Sequence, residues 1–189
     1  MDTPEQVTEN YTLYAKGEYD GIHKPYIIDA LSGGSSSGKI KERIICNLIG
    51  AKHNPKGTGF DGWTLPLLRP LEVKAETWNE DSKLCGAAAF GMRTHTKLTE
   101  FLEADQLYYG SGWTKDGLLV YYIEVEFNKT EMPAQLYEHV NKCEDGSDGQ
   151  PKISYLCWKD SDFKLLYLNE DYLDLMTGPF RKVINERIK

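Results

Sequence analysis

The sequence predicts an α/β (α+β) protein whose mixed β-sheet is flanked by helices. Three observations indicate this class: an amphipathic helical pattern near residue 45, a run of strand-forming residues near residue 120, and a chain order in which predicted helices and strands alternate. The chain has 189 residues, of which 40% are hydrophobic and 27% charged, a composition that excludes disordered and disulfide-scaffold proteins. We expect a single domain over residues 1–189.

The elements of the first third follow from hydrophobic spacing and turn residues. The N-terminal segment is polar, and its apolar patch, residues 26–31, predicts a short strand. Residues 32–38 are rich in Ser and Gly and predict a loop. The apolar residues within 40–49 recur at helical spacing, and Pro55 and Gly57 mark the end of that segment. These residues predict an amphipathic helix.

The remaining elements are predicted in the same way. In chain order they are strands over residues 58–63 and 71–76, a helix over 96–107, a strand over 117–127, a helix over 131–142, a hairpin of 152–158 with 163–168, and short helices near Asn169 and Phe180. Gly110 and Gly112 are interpreted as the end of the second helix. The order helix, strand, strand, helix, strand predicts a sheet covered by helices.

Charge, apolar runs and cysteine spacing limit the function classes. The formal net charge of −7 argues against a general nucleic-acid coat. No apolar run approaches the roughly 20 residues that a membrane span needs, and the first residues lack the pattern of a secretory signal. The four cysteines have neither zinc-site nor redox spacing. We expect a soluble cytoplasmic protein with no membrane partner.

Basic residues are concentrated locally despite the negative net charge. Residues 38–57 contain five basic residues and one acid, Glu42. Such a surface can contact backbone phosphates while the rest of the molecule repels a polyanion. The residues predicted to contact DNA are Lys39, Lys41, Arg43, Lys52 and Lys56, with Arg181, Lys182 and Arg187 as an extension.

The run from Gly33 to Lys39 has the glycine and lysine spacing of a phosphate-binding loop. Residue 40 is Ile, where that motif needs a hydroxyl to hold magnesium. We favour a loop that caps a helix, and a nucleotide-binding protein stays a third functional alternative.

A second constellation consists of Asp61 and the triplet Glu72-Val73-Lys74. Side chains alternate along a strand, so Glu72 and Lys74 share one face, and Asp61 can lie beside Glu72 if the two predicted strands pair. Two carboxylates and the Val73 carbonyl are the hard oxygen ligands that Mg²⁺ prefers. Asp61, Glu72 and Val73 are therefore candidate metal ligands for phosphodiester hydrolysis, with Lys74 within reach of the phosphate. The same alternation also fits a half-exposed strand without catalytic function.

Glu42 lies at the border of the apolar helix face. With Ile40 at 0°, the apolar arc spans about 0° to 180° and Glu42 falls near 200° at about 100° per residue. A side chain there can reach a site between helix and sheet, or pair with a neighbouring base in solvent. Both alternatives stay open.

Residues 38–127 resemble the PD-(D/E)xK nuclease superfamily, the restriction-endonuclease-like fold of many type II restriction endonucleases and of phage and archaeal junction-resolving enzymes. The resemblance rests on the order of a helix with Glu42, a strand with Asp61, a strand with Glu72-Val73-Lys74, a helix and a strand. It implies that Asp61 and Glu72 bind a divalent metal, that Lys74 assists the attacking water, and that Glu42 adds an acid, as in some members. Phe60 stands where the family name implies Pro, which many members also lack.

The resemblance implies a Mg²⁺-dependent DNA endonuclease that also accepts Mn²⁺ and leaves 5′-phosphate and 3′-hydroxyl ends. Cleavage of both strands favours a homodimer. Residues 1–37 and 128–189 are then expected to be specificity or assembly elements around the nuclease-like core. The alternative from another class is a non-catalytic binding or interaction module with the same fold.

Overall fold

A computed structural model describes residues 3–21, 24–32, 34–56, 59–91, 94–144 and 150–188, and their fold is mixed α+β, as the sequence predicts. The α-helices are α1 (Pro4–Ala15), α2 (Lys24–Ser32), α3 (Gly34–Leu48), α4 (His95–Glu103), α5 (Met132–Glu144) and α6 (Gly178–Asn185). The strands are β1 (Lys52–His53), β2 (Gly62–Trp63), β3 (Pro70–Thr77), β4 (Ala88–Ala89), β5 (Leu107–Trp113), β6 (Leu119–Glu126), β7 (Lys152–Ile153) and β8 (Lys164–Leu168).

Six of these strands form one mixed sheet in the order β1-β2-β3-β5-β6-β8. The pair β3 and β5 is parallel, whereas the other neighbouring pairs are antiparallel. A parallel pair needs a long crossover, and the segment between β3 and β5, which contains α4, supplies it. The strands β4 and β7 pair with each other in a separate small sheet.

The alternation of side chains along the sheet separates two apolar clusters. On β3, Leu71 and Val73 pack with Ile44 and Ile45 of α3. On β5, Tyr108 belongs to the cluster on the other face. Each fully buried aliphatic side chain contributes about 1.5–3 kcal/mol, so these contacts hold α3 firmly against β3.

The N-terminal segment is helical, and the strand predicted over residues 26–31 is wrong. Ile27 and Leu31, four residues apart, are both buried in the cluster that contains Ile44, a spacing that fits a helix and not a strand. The preceding helix α1, which its polar composition did not indicate, adds Tyr14 to the same cluster. Residues before position 38 therefore contribute to the core.

Strand β5 was not predicted, because its glycines were interpreted as the end of a helix. In the structure all seven of its residues are buried in the middle of the sheet. A Cβ at Gly112 would lie 2.1 Å from Cε1 of Tyr121 on the neighbouring strand, so the Tyr121 ring takes the space of a side chain. The glycines of β5 make room for aromatic neighbours and do not end a helix.

The predicted hairpin of residues 152–158 with 163–168 is also wrong. The first segment contributes β7, which pairs with β4, and residues Tyr155–Cys157 form a 3-10 turn. The second segment is β8, which pairs with β6 at the edge of the large sheet. The apolar run between them supplies Trp158 to the core instead of a strand partner.

The other predicted elements are confirmed with adjusted bounds. Strands β3 and β6 and helices α3, α4 and α5 occur where the sequence predicts them, and short helices occupy Glu170–Leu175 and α6. The strand predicted over residues 58–63 is reduced to β2, and residue 58 lies outside the described residues. None of the helices in the described part of the chain has the length and apolar composition to cross a bilayer.

Candidate active site

The candidate site lies where β2 and β3 separate. The two strands pair only through Gly62 with Leu71 and Trp63 with Pro70. The backbone N–H of Asp61 still donates to the Leu71 carbonyl at 3.1 Å. One step further along β3, the N–H of Val73 donates to Oδ2 of Asp61 at 2.7 Å. A side-chain carboxylate therefore replaces a strand partner at this open edge of the sheet.

Gly62 fixes the position of Asp61 by letting β1 approach closely. A Cβ at residue 62 would lie 2.6 Å from the Lys52 carbonyl oxygen and 3.3 Å from the Cys46 sulfur. Both contacts are closer than a side chain tolerates without rearrangement. The glycine thus allows β1 and α3 to pack closely against the chain beside Asp61. We call this point, where β2 and β3 separate, the fork.

The triplet on β3 places its charged side chains as the alternation predicts. Glu72 is 8% exposed, and its carboxylate accepts a hydrogen bond from the Lys74 ammonium. The same nitrogen lies 3.9 Å from Oδ2 of Asp61 and 3.4 Å from the Val73 carbonyl oxygen. All three predicted metal-ligand groups, Asp61, Glu72 and Val73, therefore surround one cation, the Lys74 ammonium.

Burial and mutual charge set the protonation of this ion cluster. Burial raises the pKa of Glu72 to about 7, and the repulsion from Asp61 adds to the rise while Lys74 opposes it. Burial lowers the pKa of Lys74, but Glu72 and Asp61 more than compensate and leave it above its ordinary value. Lys74 is therefore protonated at neutral pH.

Glu42 faces this cluster from α3. It is half-buried, and burial together with Asp61 and Glu72 raises its pKa to about 7, against the opposing charges of Lys74 and Lys39. Within the described residues it makes no hydrogen bond or ion pair. The carboxyl group is thus close enough to interact with the cluster and keeps its own oxygens available.

Cys46 was not predicted as part of the site, although its spacing indicates it. It follows Glu42 by four residues on α3, so both side chains lie on one helix face. Burial, Asp61 and Glu42 raise the pKa of Cys46 to about 12, so it is a neutral thiol. Phe90, whose ring centroid lies 5.3 Å from the Lys74 nitrogen, had no signal in the sequence.

The oxygen donors of the site fit a hard divalent cation. Two carboxylates and a backbone carbonyl are the donor types that Mg²⁺ binds. Within the described ranges there is no group of three or more His, Cys, Asp or Glu side chains that could hold a metal ion. Asp61, Glu72 and the Val73 carbonyl would hold a metal here, and the Lys74 ammonium would have to turn away from them.

The predicted DNA-contacting residues divide into an exposed group and one buried residue. Lys39, Arg43, Lys52 and Lys56 are exposed and form no ion pair within the part of the chain that the structure describes. Lys41 is different, since it is 2% exposed and its ammonium donates to Oγ1 of Thr77 at 2.8 Å. Lys41 therefore belongs to the interior and not to the basic surface.

Of the predicted C-terminal extension of that surface, Lys182 is exposed without an ion pair in the described part of the chain, whereas the two arginines have partners of their own. Arg181 pairs with Asp174 at 2.6 Å. Arg187 donates to the Ser161 carbonyl at 2.7 Å and lies 4.4 Å from the Phe163 ring centroid. The contacts of these two arginines join α6 and the residues after it to neighbouring segments of the chain.

The phosphate-loop interpretation does not fit the backbone. Residues from Gly34 onward are already helical, and residue 33 lies outside the described residues, so the loop predicted over residues 32–38 is wrong. A phosphate-binding loop wraps its anion with backbone N–H groups of a loop that precedes the helix, whereas here the Gly- and Ser-rich run from Gly34 is itself the first turn of α3.

No protein-family model matches the chain, and no curated protein matches it either.

The pKa of Glu42 predicts a pH-dependent effect of Glu42→Gln on the metal-free protein. Between its ordinary value of 4.5 and about 7, Glu42 binds its proton more tightly in the folded than in the unfolded state. The wild type therefore loses stability as the pH rises through this window, and the loss is complete above pH 7. We expect Glu42→Gln to be about 1–2 kcal/mol more stable than wild type at pH 8 and equal to it at pH 4, measured by urea unfolding.

Glu100→Gln, at an exposed position on α4, is the matched control and should track the wild type at both pH values. A Glu42→Gln gain of equal size at pH 4 and pH 8 would contradict the placement of Glu42 beside the cluster.

Lys41 predicts the opposite pH dependence. Burial lowers the pKa of Lys41 from 10.5 to about 8, so the folded state disfavours its charge below pH 8 and this penalty disappears as the pH rises towards 10.5. We expect Lys41→Met to be about 2 kcal/mol more stable than wild type at pH 7, after the loss of the Thr77 hydrogen bond, and to lose this advantage near pH 10. Urea unfolding of both proteins at each pH measures the difference, with exposed Lys39→Met as control. If the difference in unfolding free energy between Lys41→Met and wild type is the same at every pH, the pKa of Lys41 is not lowered by burial.

Proposed function

We propose that this protein is a Mg²⁺-dependent DNA endonuclease whose reactive centre is formed by Asp61, Glu72 and Lys74, with Glu42 as an additional acid. One observation carries the proposal: oxygens of Asp61, Glu72 and Val73 surround a single cationic nitrogen at an open strand edge. This donor set suits a hard divalent cation, and the positive charge beside it suits a phosphate.

The order of elements supports the same proposal. Helix α3 carries Glu42, β2 follows Asp61 directly, β3 carries Glu72 and Lys74, and α4 and β5 come next. The resemblance to PD-(D/E)xK nucleases implies this succession. The mixed sheet also puts β3 between β2 and β5, where the buried Glu72 and the half-buried Lys74 can be held in fixed positions.

Each residue of the candidate site has its own task in the proposed reaction. Asp61, Glu72 and the Val73 carbonyl would hold a divalent cation, which would supply Lewis-acid activation of the scissile phosphate and of a water. Asp61 is oriented for this by the Val73 N–H. Lys74 is protonated, and its side chain is long enough to turn its ammonium to a water or a phosphate oxygen and donate hydrogen bonds there. Glu42 can hold a water at the edge of the site.

The basic surface supplies a place for the DNA backbone. Lys39 and Arg43 are four residues apart on α3, and Lys52 on β1 pairs with Trp63, two residues after Asp61. Cations that have no ion pair of their own in the described chain can contact phosphates without first breaking an internal contact. These residues therefore connect the exposed face of α3 with the fork.

One observation favours the alternative of a non-catalytic binding module. The Lys74 ammonium already forms ion pairs with Glu72 and Asp61, so the ion cluster can serve the fold without a ligand. The two candidates differ in whether the protein cuts DNA.

We expect the purified protein to nick or cut supercoiled plasmid with Mg²⁺ or Mn²⁺ and not with EDTA. Asp61→Asn, Glu72→Gln and Lys74→Met should each lower the cleavage rate by ~10²-fold or more, because each removes a preorganised charge at the reacting phosphate. Circular dichroism and thermal melting should show that the variants stay folded. Agarose gels that separate nicked, linear and supercoiled plasmid give the rates.

The exposed pair Lys115 and Glu80 offers a matched control, since Lys115→Met and Glu80→Gln make the same changes away from the fork. Both control variants should cut at the wild-type rate. Plasmid that is bound and never cut, with either metal, would favour the binding module and would sink the nuclease proposal.

The basic surface predicts the salt dependence of DNA binding. Removing one phosphate-contacting lysine should reduce the slope of log K against log salt by about one unit. We expect this for Lys39→Ala, Lys52→Ala and Lys56→Ala, measured by fluorescence anisotropy with a labelled duplex in EDTA. Lys41→Met should leave the slope unchanged because Lys41 is buried. If Lys39→Ala, Lys52→Ala and Lys56→Ala all keep the wild-type slope, as Lys41→Met should, the DNA binds to another face of the protein.

A further inference from the structure

The turn that joins β2 to β3 exposes three leucines. Leu65 is 59% exposed, Leu67 83% and Leu68 60%. We call these three residues the leucine tip. They are among the most exposed large apolar side chains in the described part of the chain, and they lie within one turn of four residues. Contiguous exposed apolar surface of this kind marks an interaction site.

The backbone holds the leucine tip in one shape. Thr64 donates from its N–H to the Arg69 carbonyl at 2.9 Å, and the Leu68 N–H donates to the Thr64 carbonyl at 2.8 Å. Leu68 has a φ of 53°, in the left-handed region that leucine rarely adopts. The turn is therefore fixed in a conformation in which its apolar side chains are exposed to solvent and do not pack against the protein.

The acids at the base of the turn are neutralised by ion pairs. Arg69 donates from Nη2 to Oδ1 of Asp105 at 2.8 Å and from Nε to the Asp105 carbonyl at 2.8 Å. Glu126 pairs with Lys129 at 2.5 Å and lies 3.8 Å from the Arg69 guanidinium. These pairs reduce the repulsion that the nearest carboxylates would exert on a polyanion beside the tip.

We propose that the leucine tip inserts into a groove of duplex DNA and opens a base step close to the scissile phosphate. This inference rests on the proposed function. Leucine is one of the apolar residues that proteins push between base pairs to unstack and kink a duplex. The leucine tip therefore has the chemistry of a wedge, and the exposed lysines of β1 and its following turn have the chemistry of its phosphate anchor.

Distance along the hairpin connects the wedge with the site. From Glu72 to Leu68 the chain spans four residues, which is at most ~13 Å at about 3.3 Å per extended residue. That length corresponds to about four base pairs at ~3.4 Å per step. A duplex with a phosphate at the Asp61 and Glu72 fork therefore has a neighbouring base step within reach of the tip.

A second protein chain fits the leucine tip less well than DNA. A stable protein interface buries about 800 Å² on each partner, and three side chains on one turn supply only part of this. Lys52 on β1 lies opposite Trp63, close to the start of the turn, and is exposed without an ion pair in the described part of the chain. Its charge complements a phosphate backbone. The combination of a small apolar point and a nearby cation favours duplex DNA.

The experiment measures DNA unwinding without cleavage and without knowledge of a recognition sequence. The protein carries Asp61→Asn, which prevents cutting and keeps an oxygen for the Val73 N–H. It is bound to closed-circular plasmid in EDTA, the plasmid is relaxed with topoisomerase I, and the linking-number distribution is read on a gel after protein removal. Insertion of the wedge should shift the distribution in proportion to the protein bound.

The wedge variant adds Leu67→Ser and Leu68→Asn, and Asn tolerates the left-handed conformation of residue 68. We expect it to lose the linking-number shift and to bind plasmid within about threefold of the parent, because phosphate contacts supply most non-specific affinity. Leu156→Ser, at a position 57% exposed on a distant 3-10 turn, is the matched control and should keep the shift.

Three outcomes would overturn the inference in distinguishable ways. A parent protein that binds no plasmid would remove the proposed function and the wedge together. A parent that binds plasmid, with a shift that the wedge variant retains, would leave the nuclease proposal standing and reject the wedge. Leucine-dependent binding to phosphatidylcholine and phosphatidylserine vesicles, or leucine-dependent dimerisation in sedimentation, without a linking-number shift, would assign the tip to a lipid surface or a second copy of the chain.

Discussion

The Lys74 ammonium is the interaction on which the arrangement of the candidate site depends. It is the positive charge among the oxygens of Asp61, Glu72 and Val73, and Glu72 is almost fully buried. An ionised carboxylate in such a position is strongly destabilising without a cation. The lysine thus lets the protein fold with two neighbouring acids at an open strand edge, and the same acids are then available to a metal ion that replaces it.

Two acids on this face of β3, Glu72 and Glu76, are stabilised in different ways. Two residues beyond Lys74, the carboxylate of Glu76 accepts hydrogen bonds from the Cys85 and Gly86 N–H groups at 2.9 Å and from the Tyr121 hydroxyl at 3.4 Å. Burial raises the pKa of Glu76, and these donors oppose the rise. Glu76 is therefore saturated by fixed donors and anchors a loop, whereas Glu72 relies on one movable cation. Only the second kind of acid suits exchange with a ligand.

The extent to which the sequence predicts the fold and the site follows from how local each signal is. Alternation along β3 placed Glu72 and Lys74 on one face, and the helical angle of Glu42 put it at the border where the structure has it, because both patterns depend on neighbours within a few residues. The fate of Lys41 depended on Thr77 and Trp113, which are distant in the chain, so its burial had no local signal. Strand β5 was missed for the same reason, since its glycines make room for Tyr121 on another strand.

The burial of Glu72 depends on the parallel pairing of β3 with β5. The residues of the cluster lie close together in the sequence, but Glu72 pairs with Tyr108, which is 36 residues further along the chain. Closing a loop of that length loses about 3 kcal/mol of chain entropy, which the contacts of the closed sheet must offset. In the unfolded chain Glu72 is solvated, so the rise in its pKa comes with the closed sheet that buries it. The weakened acidity of Glu72 is thus a property of the long crossover and not of the residues next to it in the sequence.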